Sequence, residues 1–507
     1  MLAAMPPTRA PSPDQGESLI RDRGDACPGA LRLHLADDGR LARLRLPGGL
    51  LTARQATALG VAAERLADGN LSVTSRGNIE LRGLGEACGG ELSHLLADAG
   101  LLPSERHERV RNVVASPLAG TDGLGHADVQ LWARELDGLL CAEEWTTALS
   151  GRFLFALDDG RGDVAGLGAD VTLIAESDGA VGADGTAGAG RAVRSGGAVR
   201  SGGTAVVRLG RHAFRVAGAD APRAALAAAR AFLDAAREAG NGAWRVRELP
   251  DGQRVEVARA LTRAGVAADP VAVPGMPVGA PESPGAAPEM PVTAPEMPVG
   301  AREMPVAARG MSVAAPPVPG VTGHAVVVNA PLGRVTAAQW RALLPLPADE
   351  LRVTPWRGFV LPGFADGAAA RERLAALAEA GYVTAPGSPW SGVGACTGRP
   401  GCAKSLADVR ADAVPGHGGL PVHWSGCERR CGHPHGDWVD VLAIGDGRYE
   451  VTVRTGASAV PVTGDTLAGT VTAARTTSTS TPSANSPSAS TTPSASTPSA
   501  STPTATR

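Results

Sequence analysis

Part of this chain occurs twice, and any fold it adopts must house both copies. LPGGLLTARQ (46–55) is echoed by APLGRVTAAQ (330–339), and LSVTSRGNIELRGL (71–84) by LRVTPWRGFVLPGF (351–364), in the same order. Each first segment sets a Thr at a helix start with a Gln three residues on, Thr52/Gln55 and Thr336/Gln339. That is the reciprocal cap that satisfies orphan N–H groups. Each second segment reads as a strand, with one extra residue between Thr and Arg in the later copy. Two similarities in one order predict a duplicated helix–strand unit. In the earlier strand, 71–82, Leu71, Val73, Ser75, Gly77, Ile79 and Leu81 face one way, while Arg76, Asn78, Glu80 and Arg82 face the other. A solvated face is the ordinary reading of those charges.

Between and around the copies lie segments with too little apolar content, or too much proline, to pack. Residues 178–204 are Gly/Ala-rich, contain AVRSGG twice, and are flanked by strand-like DVTLIAES, TAVVRLG and HAFRV, which predicts a swollen loop in a sheet. Residues 270–319 hold thirteen prolines. Met276, Met290, Met297, Met304 and Met311 fall there on multiples of seven, but proline at that density forbids a helix and predicts a linker. The first 24 residues and the Ser/Thr/Pro tail 476–507 read as disordered.

With 507 residues and a net charge of −3, the chain has room for several domains and no basic surplus for nucleic acid. No apolar run reaches membrane-spanning length and no secretory signal opens the chain, so it reads as cytoplasmic. Lys404 is the only lysine, so bound anions meet mainly arginine forks.

Seven cysteines are present: Cys27, Cys88, Cys141, Cys396, Cys402, Cys427 and Cys431. The last four lie in ACTGRPGCAKSLADVRADA and VHWSGCERRCGHP, spaced C-x5-C, 24 residues, C-x3-C. Short spacings in a reducing compartment point to metal. The five-residue gap fits zinc knuckles poorly and a [4Fe–4S] cubane in Gly-rich loops better, though spacing leaves zinc or unligated thiols open. His433, His435 and Asp437, at i, i+2 and i+4, would form a non-haem iron ligand set if extended, although Pro434 and Gly436 favour a loop.

At these residues the sequence resembles the nitrite/sulfite reductase family, over roughly 25–265 and 320–470. The resemblance implies a [4Fe–4S] cluster on Cys396, Cys402, Cys427 and Cys431. TSRGNIELRG (74–83), RVRNVVASPLAG (109–120) and LSGRFLFALDD (149–159) resemble its tetrapyrrole-binding segments. They imply that Arg76, Asn78, Arg111 and Arg152 contact a tetrapyrrole, while Leu154 replaces a family lysine. ACPGALRL (26–33), VTPWRG (353–358) and SGCERRCGHP (425–434) resemble the branch that acts on a precorrin as substrate.

That branch implies an oxygenase of aerobic cobalamin synthesis, using O2, a cluster and a mononuclear non-haem iron. Two other readings stand beside it: a sirohaem-dependent nitrite or sulfite reductase, and a non-catalytic iron–sulfur electron carrier. No dinucleotide signature is visible, so electrons are expected from a ferredoxin or NAD(P)H-reductase partner. No residue is singled out as catalytic.

The expected fold is α+β, nitrite/sulfite reductase-like, with pseudo-twofold symmetry. Ferredoxin-like half-domains span 25–105 and 320–390. Each precedes an α+β lobe, 106–269 and the cluster lobe 391–475, with the tetrapyrrole between lobes.

Overall fold

The computed structural model describes residues 25–476, apart from 26, 87, 178–202, 273–315, 435 and 457. The expected disordered ends, most of the swollen loop and most of the linker therefore lie outside the described residues. Three bounds shift: Thr204 already opens a strand, Pro270 closes one and Thr476 closes a helix.

The chain begins with strands β1 (His34–Ala36), β2 (Gly39–Leu44) and the short β3 (Leu50–Leu51). Helix α1 (Ala53–Leu66), strands β4 (Asn70–Val73) and β5 (Ile79–Leu84), and helix α2 (Cys88–Asp98) follow. Thr52 and Gln55 form the expected reciprocal cap on α1. The later unit repeats the plan with β12 (Gly320–Thr322), β13 (Ala325–Asn329), β14 (Arg334–Thr336), α6 (Ala337–Ala342), β15 (Leu351–Val353), β16 (Gly358–Pro362) and α7 (Gly367–Glu379). Thr336 and Gln339 cap α6 in the same way.

The two units do not close separately. Their sheets run β1-β2-β5-β4-β14 and β12-β13-β16-β15-β3, so each borrows one short strand from the other. Val335 pairs with Leu71, and Leu51 with Leu351. One core joins them, in which Leu59, Ile79, Trp340 and Phe359 are buried together and Trp340 Nε1 donates to Ala56 O at 2.7 Å. Gly49, at φ +73°, admits no Cβ because Val353 O occupies that space.

The segment 71–82 is not one strand, which corrects the sequence reading. Thr74–Asn78 is a turn, closed by Thr74 N–H donating to Asn78 O at 2.9 Å, and β4 and β5 pair antiparallel. Alternation cannot reveal a turn whose residues keep the strand's polar–apolar rhythm. The later copy folds likewise, with Thr354 N–H donating to Gly358 O at 2.9 Å. Nor does that copy carry an extra residue. Val73 pairs with Ile79 as Val353 pairs with Phe359, so the turns are equal in length.

The lobe after the first unit holds β6 (Val113–Ala115), α3 (Val129–Ala142), β7 (Phe155–Asp158), β8 (Val171–Glu176), β9 (Thr204–Leu209), β10 (His212–Ala217), α4 (Ala221–Ala239), α5 (Val257–Arg263) and β11 (Ala268–Pro270). Strands β6, β7 and β8 are parallel and apolar, as suits strands covered by helices. Their core includes Phe153, Phe155 and Phe232. The last lobe holds β17 (Val393–Ala395), α8 (Val409–Asp412), β18 (Val422–Ser425), β19 (Trp438–Gly445), β20 (Arg448–Thr455), β21 (Ser458–Val462) and α9 (Leu467–Thr476). Among the described residues no helix is long and apolar enough to cross a membrane.

Candidate functional site

Two loops leave the C-terminal ends of neighbouring parallel strands in the last lobe. Cys396 and Cys402 follow β17, while Cys427 and Cys431 follow β18. Backbone bonds tie the loops together: Cys396 N–H donates to Trp424 O at 2.9 Å, and Leu406 N–H to Gly426 O at 2.8 Å. Gly426 N–H points at Cys396 Sγ, 3.2 Å away, the kind of amide that steadies a thiolate. Cys396, Cys402 and Cys427 are half-buried and Cys431 is exposed. The Cys431 thiol is pushed up by burial and then by Cys396, Cys427 and Cys402, so all four sulfurs share one electrostatic neighbourhood.

Positive charge surrounds them. Arg410 donates to Cys396 O at 3.0 Å, and burial, then Arg334 and Arg357, push it down to about 10. Arg357 donates to Gly432 O at 2.7 Å, and a side chain at Gly394 would collide with its guanidinium. Beneath the loops His423 is fully buried, and burial first, then Arg357, hold it down to about 3. Its imidazole is therefore neutral, with Nε2 against Cys431 O at 3.0 Å. Its Nδ1 has no hydrogen-bond partner among the described residues.

Four thiols on two Gly-rich loops, with an amide at Cys396 Sγ, are the donor chemistry that a cubane takes. A tetrahedral zinc with Zn–S near 2.3 Å would draw its sulfurs within about 4 Å of each other. Among the described residues, the one trio of His, Cys, Asp or Glu with ligand atoms all within 4.8 Å of one another is Asp158, Asp159 and Asp163. Those acids serve their own turn: Asp158 accepts four backbone N–H groups, and Arg161 pairs with Asp159 and Asp122. The candidate ligands of a mononuclear iron are placed only in part. His433 stacks on Trp438 and its Nδ1 is bonded to Pro434 O, Asp437 is half-buried, and His435 lies outside the described residues.

A second cluster of charge lies where the first half-domain meets the lobe after it. Arg45, 4 % exposed, donates to Arg109 O and Gly151 O, while its Nη1 has no partner among the described residues. Burial, then Arg43, push it down to about 10. Burial and then Arg245 do the same to Arg76, which has no ion-pair partner among the described residues. Arg152 stacks on Trp244, 4.8 Å from the ring centre, and lies close enough to the Cys27 thiol to favour its charged form. Cys27, raised by burial and then Asp25, is thus the common neighbour of Arg45, Arg76 and Arg152. Arg45 is buried, Arg76 half-buried and Arg152 exposed, and guanidinium groups gathered in this way are of the kind that can receive a carboxylate.

The four residues named from the sequence divide. Arg76 and Arg152 reach this cradle. Arg111 instead forks onto Asp137 at 2.6 and 2.7 Å, lining with Arg45 a cavity of about 290 Å³. Asn78 is a buried brace, accepting from Leu46 N–H and donating to Asn112 Oδ1, both at 3.0 Å. The sequence reading missed Arg45, Trp244, Arg245, Arg410 and the neutral role of His423. Only Arg45 carried a local signal, lying beside the repeated LPGG segment. The charged face of β5 is no solvated surface either, because Glu80 is 9 % exposed and Arg82 lies beneath the cluster loop.

Residues 34–97 match the family model for the nitrite/sulfite reductase ferredoxin-like half domain. The solved structure of Mycobacterium tuberculosis NirA superposes with a TM-score of 0.53 at 18 % identity, covering 83 % of this chain and 75 % of that one. The chain thus has the nitrite/sulfite reductase-like α+β fold, with its duplicated half-domains. Within that class it resembles precorrin-3B synthase: a relative of that name from Sinorhizobium sp. is 26 % identical over 469 residues, 88 % of this chain and 86 % of the relative. A ferredoxin–nitrite reductase from Synechococcus elongatus is 33 % identical over 127 residues, 24 % of this chain and 25 % of its own length.

Proposed function

We propose that the protein is an oxygenase that converts precorrin-3A to precorrin-3B, hydroxylating C20 and closing a lactone. The observation that carries this reading is the convergence of four thiols from two loops on one lobe of a fold that also holds an arginine cradle. Similarity to precorrin-3B synthase along most of the chain supports this choice of reaction. Cys396, Cys402, Cys427 and Cys431 would hold a [4Fe–4S] cluster, which supplies electrons one at a time.

The residues of this chain do the rest by binding and exclusion. Arg45, Arg76 and Arg152 orient a polycarboxylate through guanidinium forks. Leu154, 3 % exposed, stands where the reductases are expected to carry a lysine, so no ammonium proton is offered there. One oxygen atom of O2 enters the substrate and the other leaves as water, with two electrons and two protons from an external donor. Lys404 and Arg429, exposed beside the cysteines, suit an acidic ferredoxin-like or reductase partner. The reading places the protein in the cytoplasm, where thiols stay free for iron.

A sirohaem-dependent nitrite or sulfite reductase is the second reading, favoured by the local likeness to ferredoxin–nitrite reductase. An absorption spectrum separates the two. A broad iron–sulfur shoulder without a Soret band supports the oxygenase, and a sirohaem spectrum overturns it. Cys427→Ser is expected to lose the cluster, read as iron and sulfide per chain. Wild-type protein given precorrin-3A, reductant and labelled O2 is expected to put one labelled atom into the product.

A further inference from the structure

Strand β5 carries a row of ion pairs that neither the cluster nor the cradle requires for its own construction. Arg43 donates to Glu80 Oε2 through Nη2 at 2.8 Å and Nε at 3.3 Å. The other oxygen of Glu80 accepts from Arg82 Nη1 at 3.2 Å. Arg82 also forks onto Asp38 at 2.9 Å and donates to Gly401 O at 2.6 Å. Gly401 adjoins Cys402, and the next amide, Ala403 N–H, is held by Asp37.

At its near end the row meets the cradle, since Arg43 lies within electrostatic reach of both Arg45 and Arg76. At its far end Arg410, bonded to Cys396 O, feels Glu80 as well. Glu80 is therefore one buried carboxylate shared between a cation beside the cradle, Arg43, and a cation that holds the cluster loop, Arg82. In a poorly solvated site, two cations on one carboxylate compete, and weakening one bond strengthens the other. Burial works against the charge on Arg82, and Asp38 and Glu80 more than offset it.

We propose that Glu80 couples the cradle to the cluster loop. A carboxylate entering the cradle draws on Arg43, loosens the Arg43–Glu80 pair and shifts Glu80 toward Arg82, which holds Gly401 beside Cys402. Glu80 and Arg82 are then positioning residues through which occupancy of one site is felt at the other. The inference rests on the cluster and cradle assignments above, and it adds a direction of communication between them.

The test uses the cluster-loaded full chain and uroporphyrin I, a metal-free octacarboxylate macrocycle, as probe. The midpoint potential of the cluster is followed by EPR with and without saturating probe. The wild-type potential is expected to shift on binding. In Glu80→Gln the shift should fall below half, with probe Kd within threefold of wild type and iron content unchanged. Should Glu80→Gln fail to load iron, Arg82→Lys, which keeps the charge and loses the fork, is expected to halve the shift likewise. A full shift in the loaded variant would show coupling through space alone and overturn the proposal, as would wild-type binding with no shift. Failure of wild type to bind the probe sinks the cradle reading itself, and this inference with it.

Discussion

The turns Thr74–Asn78 and Thr354–Gly358 are the same object built twice for different work. Both close with the same pair of backbone bonds and both set their fourth residue in the left-handed region, Gly77 at φ +65° and Arg357 at φ +62°. In the first, glycine takes the left-handed position freely and the residue before it, Arg76, reaches the cradle. In the second, that preceding residue is Trp356, packed on the apolar patch around Leu154 and Ala156. The arginine instead occupies the left-handed position, at a cost of about 1–2 kcal/mol, and grips the loop of Cys431 through Gly432. On the proposed function, one symmetric scaffold thus aims one arginine at a carboxylate ligand and the other at a metal loop. Moving a side chain by a single turn position suffices to separate the two tasks.

The sharpest way to break this comparison is to remove the arginines in turn. Arg76→Ala is expected to weaken binding of a polycarboxylate porphyrin at least tenfold while leaving iron and sulfide content unchanged. Arg357→Ala should do the reverse, with cluster content falling by more than half and porphyrin affinity within about threefold. If both variants lose both properties, the division of labour is wrong.

The next contrast concerns the left-handed position itself, read by denaturant unfolding. Gly77→Ala is expected to lose about 2–3 kcal/mol, since the new Cβ is strained by its φ and lies 2.8 Å from Val353 O. Arg357→Gly should change stability by less than about 1 kcal/mol, because relief of the backbone offsets the lost bond to Gly432. The smallest effect tests the symmetry of the scaffold. Thr52→Ala and Thr336→Ala each remove a reciprocal cap and should each cost about 1 kcal/mol. A large inequality between them would mean that the two units carry unequal shares of the shared core.

Much of this was legible in the sequence because it is written locally. Capping pairs, cysteine spacings and repeated segments each depend on residues a few positions apart, so Thr52/Gln55, Thr336/Gln339 and the two cysteine loops were readable. The pairing of the two turns was misread by one position. Aligning the Arg-Gly of each copy matched letters, whereas the backbone matches Gly77 to Arg357. The cradle was half legible. Arg76 and Arg152 stand in recognisable segments, but whether an arginine is free or paired depends on distant acids, and Asp137 takes Arg111 from another element. Trp244, Arg245 and His423 owe their roles to packing, which no spacing encodes.

The exchanged strands β3 and β14 carry a consequence for ancestry and dissection. A lone unit of this design leaves one sheet edge open and one arm without a partner, so a free-standing ancestor would have persisted as an arm-trading pair of identical chains. In this chain that pairing is internal. Splitting the polypeptide between the units should therefore yield fragments that recover the native assembly only when mixed.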